Sequence, residues 1–264
     1  ENSRFFSMSF AGNRLKIYHQ VDLNQNFHVD KAAASADICF CTTDFIKNKI
    51  KLYNNIVYKI HHGVSIPLKD ILFTKDQCGY FSKNKINVVY IGNIDISYLD
   101  IELLSELVQK FTELQFHFIG RYKKEGKLYS NHSNSKNVKW WGQVSSDKIP
   151  SILSYCDIQL LIYKAKNEWE MEQLASPHKV MEYLNSGKVT VATYTDEYKD
   201  KRHLLEMVDD SKDFLSTFEN IINNLPYYNS PEKQAERIAF SQNNTYSKQL
   251  ETIQSHLKQH DLHL

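Results

Sequence analysis

Five short strand-like runs, mostly apolar, recur at residues 86–91, 114–119, 137–141, 157–163 and 188–193, the second as the alternation of Leu114, Phe116 and Phe118. They are too short for core helices, and the stretches between them carry a helical stripe. Leu103, Leu104, Leu107, Val108 and Phe111 repeat at three- and four-residue spacing, as do Ile149, Ile152, Leu153 and Cys156. Strands alternating with helices predict a parallel sheet with helices on both faces, an α/β fold. Ligands of such sheets lie beyond the carboxyl ends of the strands. The loops after 91, 119, 141 and 163 therefore form the expected binding edge. They carry Gly92, Asn93, Arg121, Gln143 and Val144.

A second, shorter α/β series precedes this one. Leu15, Ile17 and Val21 alternate as in a strand ending at Asp22, and residues 26–36 suit a short helix. Residues 37–42 form an apolar run. Phe45, Ile46, Ile50 and Tyr53 follow at helical spacing, then Ile56, Tyr58 and Ile60 alternate. Residues 1–13 carry no clear pattern, and 65–84 read as a linker punctuated by Pro67 and Gly79. Trp140 and Trp141, adjacent on a strand, point to opposite faces, which predicts one in the core and one partly exposed.

The stretch 174–193 carries the most chemistry. Ser176 suits an N-cap and Pro177 the first helical position. Gly187 suits the left-handed residue just past the helix. Val180, Met181 and Leu184 share one face, and His178, Lys179 and Glu182 the other. A helix N-terminus attracts phosphate, and Lys179 in the first turn opposes the dipole unless an anion joins it. Glu182 accepts hydrogen bonds only, so it can take both from a vicinal diol such as a ribose.

This stretch resembles the donor-site segment of the group-1 glycosyltransferases of the GT-B fold. Ser176, Pro177, Lys179, Glu182, Tyr183, Gly187, Lys188, Val191, Ala192 and Thr193 carry the resemblance. Tyr18, Asp22, Ala36, Asp37, Thr42, Gly63 and Val64 stand where the end of that family's N-terminal domain has its pattern, with His62 in place of the usual Asn. Gly92 and Gly142-Gln143-Val144 match the family's donor domain, and Ala239–Tyr246 its closing helix, with Tyr246 where Trp is usual.

The resemblance implies a GT-B-type architecture: a Rossmann-like parallel sheet flanked by helices, with the tail end of a second Rossmann-like domain. Residues 1–73 would be a remnant of the acceptor-side domain, 85–240 the nucleotide-sugar-binding domain, and 241–264 a helix packing back on the N-terminal part. Because the resemblance covers only the tail of the first domain, most of that domain is expected to be missing; residue 1 is Glu, so the chain is expected to start inside something longer or to have been processed. The implied activity is sugar transfer of the hexosyltransferase type. The donor would be UDP- or GDP-linked, with no metal required. The acceptor would be a glycan or lipid-linked glycan in surface polysaccharide biosynthesis. Lys179 would stabilise the departing diphosphate. Glu182, Ser176, Pro177, His178, Gly92, Asn93, Arg121, Gln143 and Val144 would hold the nucleotide.

Composition bounds the partners. A formal charge of +1 argues against a nucleic-acid surface. No apolar run approaches the roughly eighteen residues of a membrane span, and no signal peptide is evident. Cys39, Cys41, Cys78 and Cys156 show no disulfide or metal spacing. A cytoplasmic protein is expected, with peripheral association at the inner face of the plasma membrane through the missing domain. The retaining members of the family carry a second Glu where Leu174 stands; Glu168, Glu170 and Glu172 lie nearby. This leaves the stereochemistry open, together with two other readings: a non-catalytic assembly module on the same fold, and a GT-B nucleotide-sugar epimerase.

Overall fold

The computed structural model describes residues 7–21, 28–65, 80–82, 84–164 and 178–262. The first series forms a small parallel sheet of β1 (Ile17–Gln20), β2 (Ile38–Cys41) and β3 (Val57–Lys59), in that order. Two helices cover one face, α1 (Val29–Ser35) and α2 (Asp44–Ile50). They bury Ala32, Ala33, Ile46 and Ile50 against Cys39 and Cys41. Thr43 caps α2 by accepting a hydrogen bond from the Ile46 N–H at 3.1 Å. Asp22 lies outside the described residues.

The second series builds a six-stranded, all-parallel sheet. Its strands are β4 (Asn87–Ile91), β5 (Gln115–Ile119), β6 (Val138–Gly142), β7 (Ile158–Leu161), β8 (Val189–Thr193) and β9 (Glu206–Val208). The spatial order is β6-β5-β4-β7-β8-β9, so the chain reverses its direction of travel between β4 and β7. β4 to β8 are the five apolar runs. β9 carries no such signal, because three residues on a sheet edge need not be continuously apolar.

The helices alternate sides. α3 (Ile101–Lys110) presents Leu103, Leu104, Leu107 and Val108 to the same core as Phe214, Phe218 and Ile221 of a later helix, α7 (Phe214–Asn223). Between them come α4 (Lys127–His132), α5 (Ile149–Ser154) and α6 (Lys179–Ser186). α5 and α6 cover the other face, with Ile149, Ile152, Leu153 and Tyr183 packed on Val89 and Ile119. The apolar stripe from Phe214 to Leu225 suggests one helix, but α7 ends at Asn223. Leu225 opens α8 (Leu225–Tyr228), because Pro226 lacks the N–H that would extend α7.

Both tryptophans are packed. Trp140 stacks on Phe118 at 4.9 Å and meets Tyr122 and Tyr129. Trp141 meets Phe81 and donates to His117 Nδ1 at 3.2 Å. β6 is a sheet edge, so both rings are partly buried and neither is the fully buried core residue that alternation suggests.

α9 (Pro231–Gln242) straps α6 in place. Arg237, fully buried, donates from Nη1 to the carbonyl oxygens of Gly187 (3.1 Å) and Tyr228 (2.8 Å), and the Ser241 hydroxyl donates to Met181 O at 3.1 Å. α10 (Tyr246–Gln259) returns to the small sheet, where Leu257 and Ile253 pack on Ile38 and Phe40. Val64 pairs with Thr245 in a parallel bridge at the crossing.

Candidate functional site

α6 lies at the switch point, beyond the adjacent ends of β4 and β7, where an open parallel sheet leaves a crevice. Val180, Met181, Tyr183 and Leu184 are buried, each worth about 1.5–3 kcal/mol of hydrophobic stabilisation. The helix ends on Gly187, whose φ of 75° is left-handed. Tyr183 fixes the helix to both strands: its hydroxyl accepts from Ile91 N–H (2.9 Å) and donates to Leu160 O (3.3 Å).

The wheel that separates apolar from polar residues holds, but the polar face is not simply solvated. Lys179 is half-buried, with Nζ 4.4 Å from the Tyr90 ring centroid and 5.4 Å from that of Tyr163. It makes no ion pair among the described residues. Burial pushes its ammonium down to about 7, with Glu182 pulling the other way. Glu182 is half-buried one turn on and has no hydrogen bond or ion pair among the described residues. Burial raises its carboxyl above the usual range, against the nearby His178 and Lys179. A cation and an anion thus face one crevice without neutralising each other at contact distance.

Gly92 forms the floor beneath Lys179. A Cβ there would stand 2.7 Å from Lys179 Nζ, and φ is +149°. The next strand end fits as tightly: a Cβ on Gly120 (φ +130°) would stand 2.0 Å from Gly92 O. The two glycines let the β4 and β5 turns nest backbone to backbone, with Gly92 N–H donating to Ile119 O and Ile94 N–H to Arg121 O, both at 2.9 Å.

The other candidates divide. Asn93, Arg121, Gln143 and Val144 all lie just past strand ends on this edge. The Asn93 side chain accepts from Asp95 N–H at 3.1 Å. Arg121 and Gln143 are exposed, and neither makes a side-chain hydrogen bond or ion pair among the described residues. Val144 packs with Ile149 and Ile152. His178 turns away from the sheet. Its Nε2 is 2.6 Å from the Tyr246 hydroxyl, and its ring stands edge-on to His62 at 5.2 Å. Ser176 and Pro177, with Leu174 and Glu168, Glu170 and Glu172, lie outside the described residues. The described helix starts from His178 with no side-chain cap.

Sequence reasoning missed Tyr90 and Tyr163. The period-2 pattern of β4 places Tyr90 two residues before Gly92, on the same face. Nothing in the local sequence brings Tyr163 beside it. Among the described residues no cluster of His, Cys, Asp or Glu could hold a metal ion, and no helix is long and apolar enough to cross a membrane.

A parallel sheet with this strand order and a helix N-terminus at its switch point define an open, Rossmann-like α/β fold. The family model described as "Glycosyl transferases group 1" matches residues 85–224, more than half of the chain. The chain belongs to that family, and its fold is GT-B. A search of curated proteins finds no sequence match. Anabaena HepE, solved in complex with UDP, is similar in fold with a TM-score of 0.73 and 15% identity over 95% of this chain and 74% of that one. Its complex with UDP-glucose gives a TM-score of 0.71 at 14% identity, covering 94% and 74%. The sucrose-phosphate synthase of Thermosynechococcus elongatus gives 0.65 at 11% identity, covering 87% of this chain and 60% of that one.

Proposed function

We propose that this glycosyltransferase uses a UDP-activated sugar and delivers the sugar to a hydroxyl of a glycan or lipid-linked glycan in surface polysaccharide assembly. The observation that carries the donor assignment is the pair Lys179 and Glu182, half-buried on one helix face, neither of them in an ion pair among the described residues, with the Lys179 ammonium against the Tyr90 and Tyr163 rings. The HepE complexes with UDP and UDP-glucose support UDP over GDP.

In this reading Lys179 meets the diphosphate. The bond between the anomeric carbon and the diphosphate oxygen breaks as the acceptor oxygen bonds to that carbon. The acceptor's proton passes to solvent or a base, and UDP leaves. Negative charge grows on the leaving oxygen, and a preorganised ammonium in a desolvated site stabilises it more in the transition state than before. Glu182 accepts from the ribose hydroxyls. The main chain at the Gly92–Asn93 turn approaches the diphosphate, and Ser176, Pro177 and His178 are assigned to the same group. Gln143 and Val144 hold the base through the backbone, and Arg121 pairs with phosphate or stacks on the base.

Residues 85–240 would then be the donor domain, 1–73 the acceptor side, and 241–264 the return helix. A cavity of about 400 Å³ supports the acceptor side: His19, Thr42, His62, His178 and Tyr246 line it, at the carboxyl ends of the small sheet. The place of action is the cytoplasmic side of the plasma membrane, where nucleotide sugars meet lipid-linked acceptors.

Calorimetry with UDP, GDP and their sugars, with and without Mg²⁺, tests the assignment. UDP binds in both conditions, and Glu182→Ala weakens it about tenfold or more, the value of a charged hydrogen bond. Binding by none of these nucleotides would refute the donor site.

A further inference from the structure

Glu197 is a buried carboxylate on the short turn of helix Asp196–Tyr198 that follows β8. Its side chain is 3% exposed, yet three nitrogens surround it. His61 Nδ1 lies at 2.7 Å, Lys201 Nζ at 3.5 Å and Lys59 Nζ at 3.8 Å. Lys59 also contacts Asp44 at 2.6 Å. Burial alone would lower the Lys59 ammonium, but the Asp44 hydrogen bond and the Glu197 charge carry it above the ordinary value.

The partners come from both parts of the molecule. Glu197 and Lys201 belong to the large sheet's segment, whereas Asp44, Lys59 and His61 belong to the small sheet. The other contacts across this boundary are mostly apolar, ring or backbone contacts: Leu257 and Ile253 of α10 pack on Ile38 and Phe40, His61 meets Phe240 edge-on at 6.1 Å, and Val64 N–H donates to Asn244 O at 3.1 Å. Ring contacts tolerate sliding. A desolvated carboxylate does not, because moving away from its cations leaves a buried charge uncompensated. The residue after His61 is His62, whose ring meets His178 beside Lys179.

We propose that Glu197 is a positioning residue: acting through His61 and Lys59, it pins the small sheet to the large one and sets the placement of the His62–His178 rim. The pairing fixes the relative position of the two sheets, and the local folding of each is left to its own core.

Pulsed electron–electron resonance between spin labels tests this without any nucleotide, so its outcome is independent of the donor assignment. Asn48→Cys on α2 and Asn131→Cys on α4 supply exposed sites, one in each part. Cys39, Cys41 and Cys156 are buried, and Cys78→Ser removes the remaining thiol. Glu197→Gln keeps the side chain's size and removes its charge. The expected result is a broader inter-label distance distribution with a shifted mean, reproduced by His61→Asn and not widened further in the double variant. An unchanged distribution in Glu197→Gln overturns the proposal, and so does broadening that His61→Asn fails to reproduce. Should Glu197→Gln not fold, His61→Asn alone decides: an unchanged distribution rejects the pin.

Discussion

Replacing Lys179 with Met should make the protein more stable while removing its grip on nucleotide. The ammonium falls from an ordinary 10.5 to about 7 because it is desolvated. At about 1.36 kcal/mol per pH unit, holding it charged in the folded state costs about 4–5 kcal/mol. The rings of Tyr90 and Tyr163, at 4.4 and 5.4 Å, return about 2 kcal/mol through cation–π attraction. The net penalty is about 2–3 kcal/mol, which a Met of similar length does not carry. At roughly 2–4 °C per kcal/mol for a chain of this size, Lys179→Met raises the melting temperature by about 5–10 °C at pH 6. The sign of the pH dependence follows from the depressed folded value. The unfolded chain binds the proton more tightly, so the parent gains stability as pH rises from about 7 toward 10.5. The gap between variant and parent therefore narrows by pH 9.5. Thermal unfolding followed by circular dichroism at pH 6 and pH 9.5, beside UDP calorimetry, reads both effects. A variant no more stable than the parent at pH 6, or a gap that does not narrow, would refute the desolvation argument.

Other perturbations have equally definite outcomes. Gly120→Ala places a Cβ 2.0 Å from Gly92 O at a φ of +130°, so it should cost about 3 kcal/mol or more, seen as a lowered denaturation midpoint in urea. His117 is fully buried, and burial pushes it down to about 3. Its imidazole should show no NMR titration between pH 5 and 8, and stability should fall as pH drops from 6.5 toward 3, where only the unfolded chain takes up the proton.

Much of the large sheet was legible because its signals are local. A buried parallel strand is rich in apolar residues, even where it also buries a Gln115 or His117, and a covering helix must show its stripe, so β4 to β8 and α3 stand out in the residues themselves. Gly187 announces the end of α6 for the same reason: few other residues take a left-handed φ. β9 escaped because it is short and lies on an edge. The break before Leu225 was readable from Pro226, but the longer stripe obscured it.

From the sequence alone came the α/β class, the family resemblance and the choice of Lys179 and Glu182 as the residues of interest. Only the tertiary structure decided what surrounds them. It set Lys179 between Tyr90 and Tyr163, whose strands are neighbours only because the order reverses at β4 and β7. It also brought Glu197 to His61 and Lys59, residues more than a hundred positions earlier in the chain. Burial and pairing are properties of distance in space, and a pattern read along the chain records only distance in sequence.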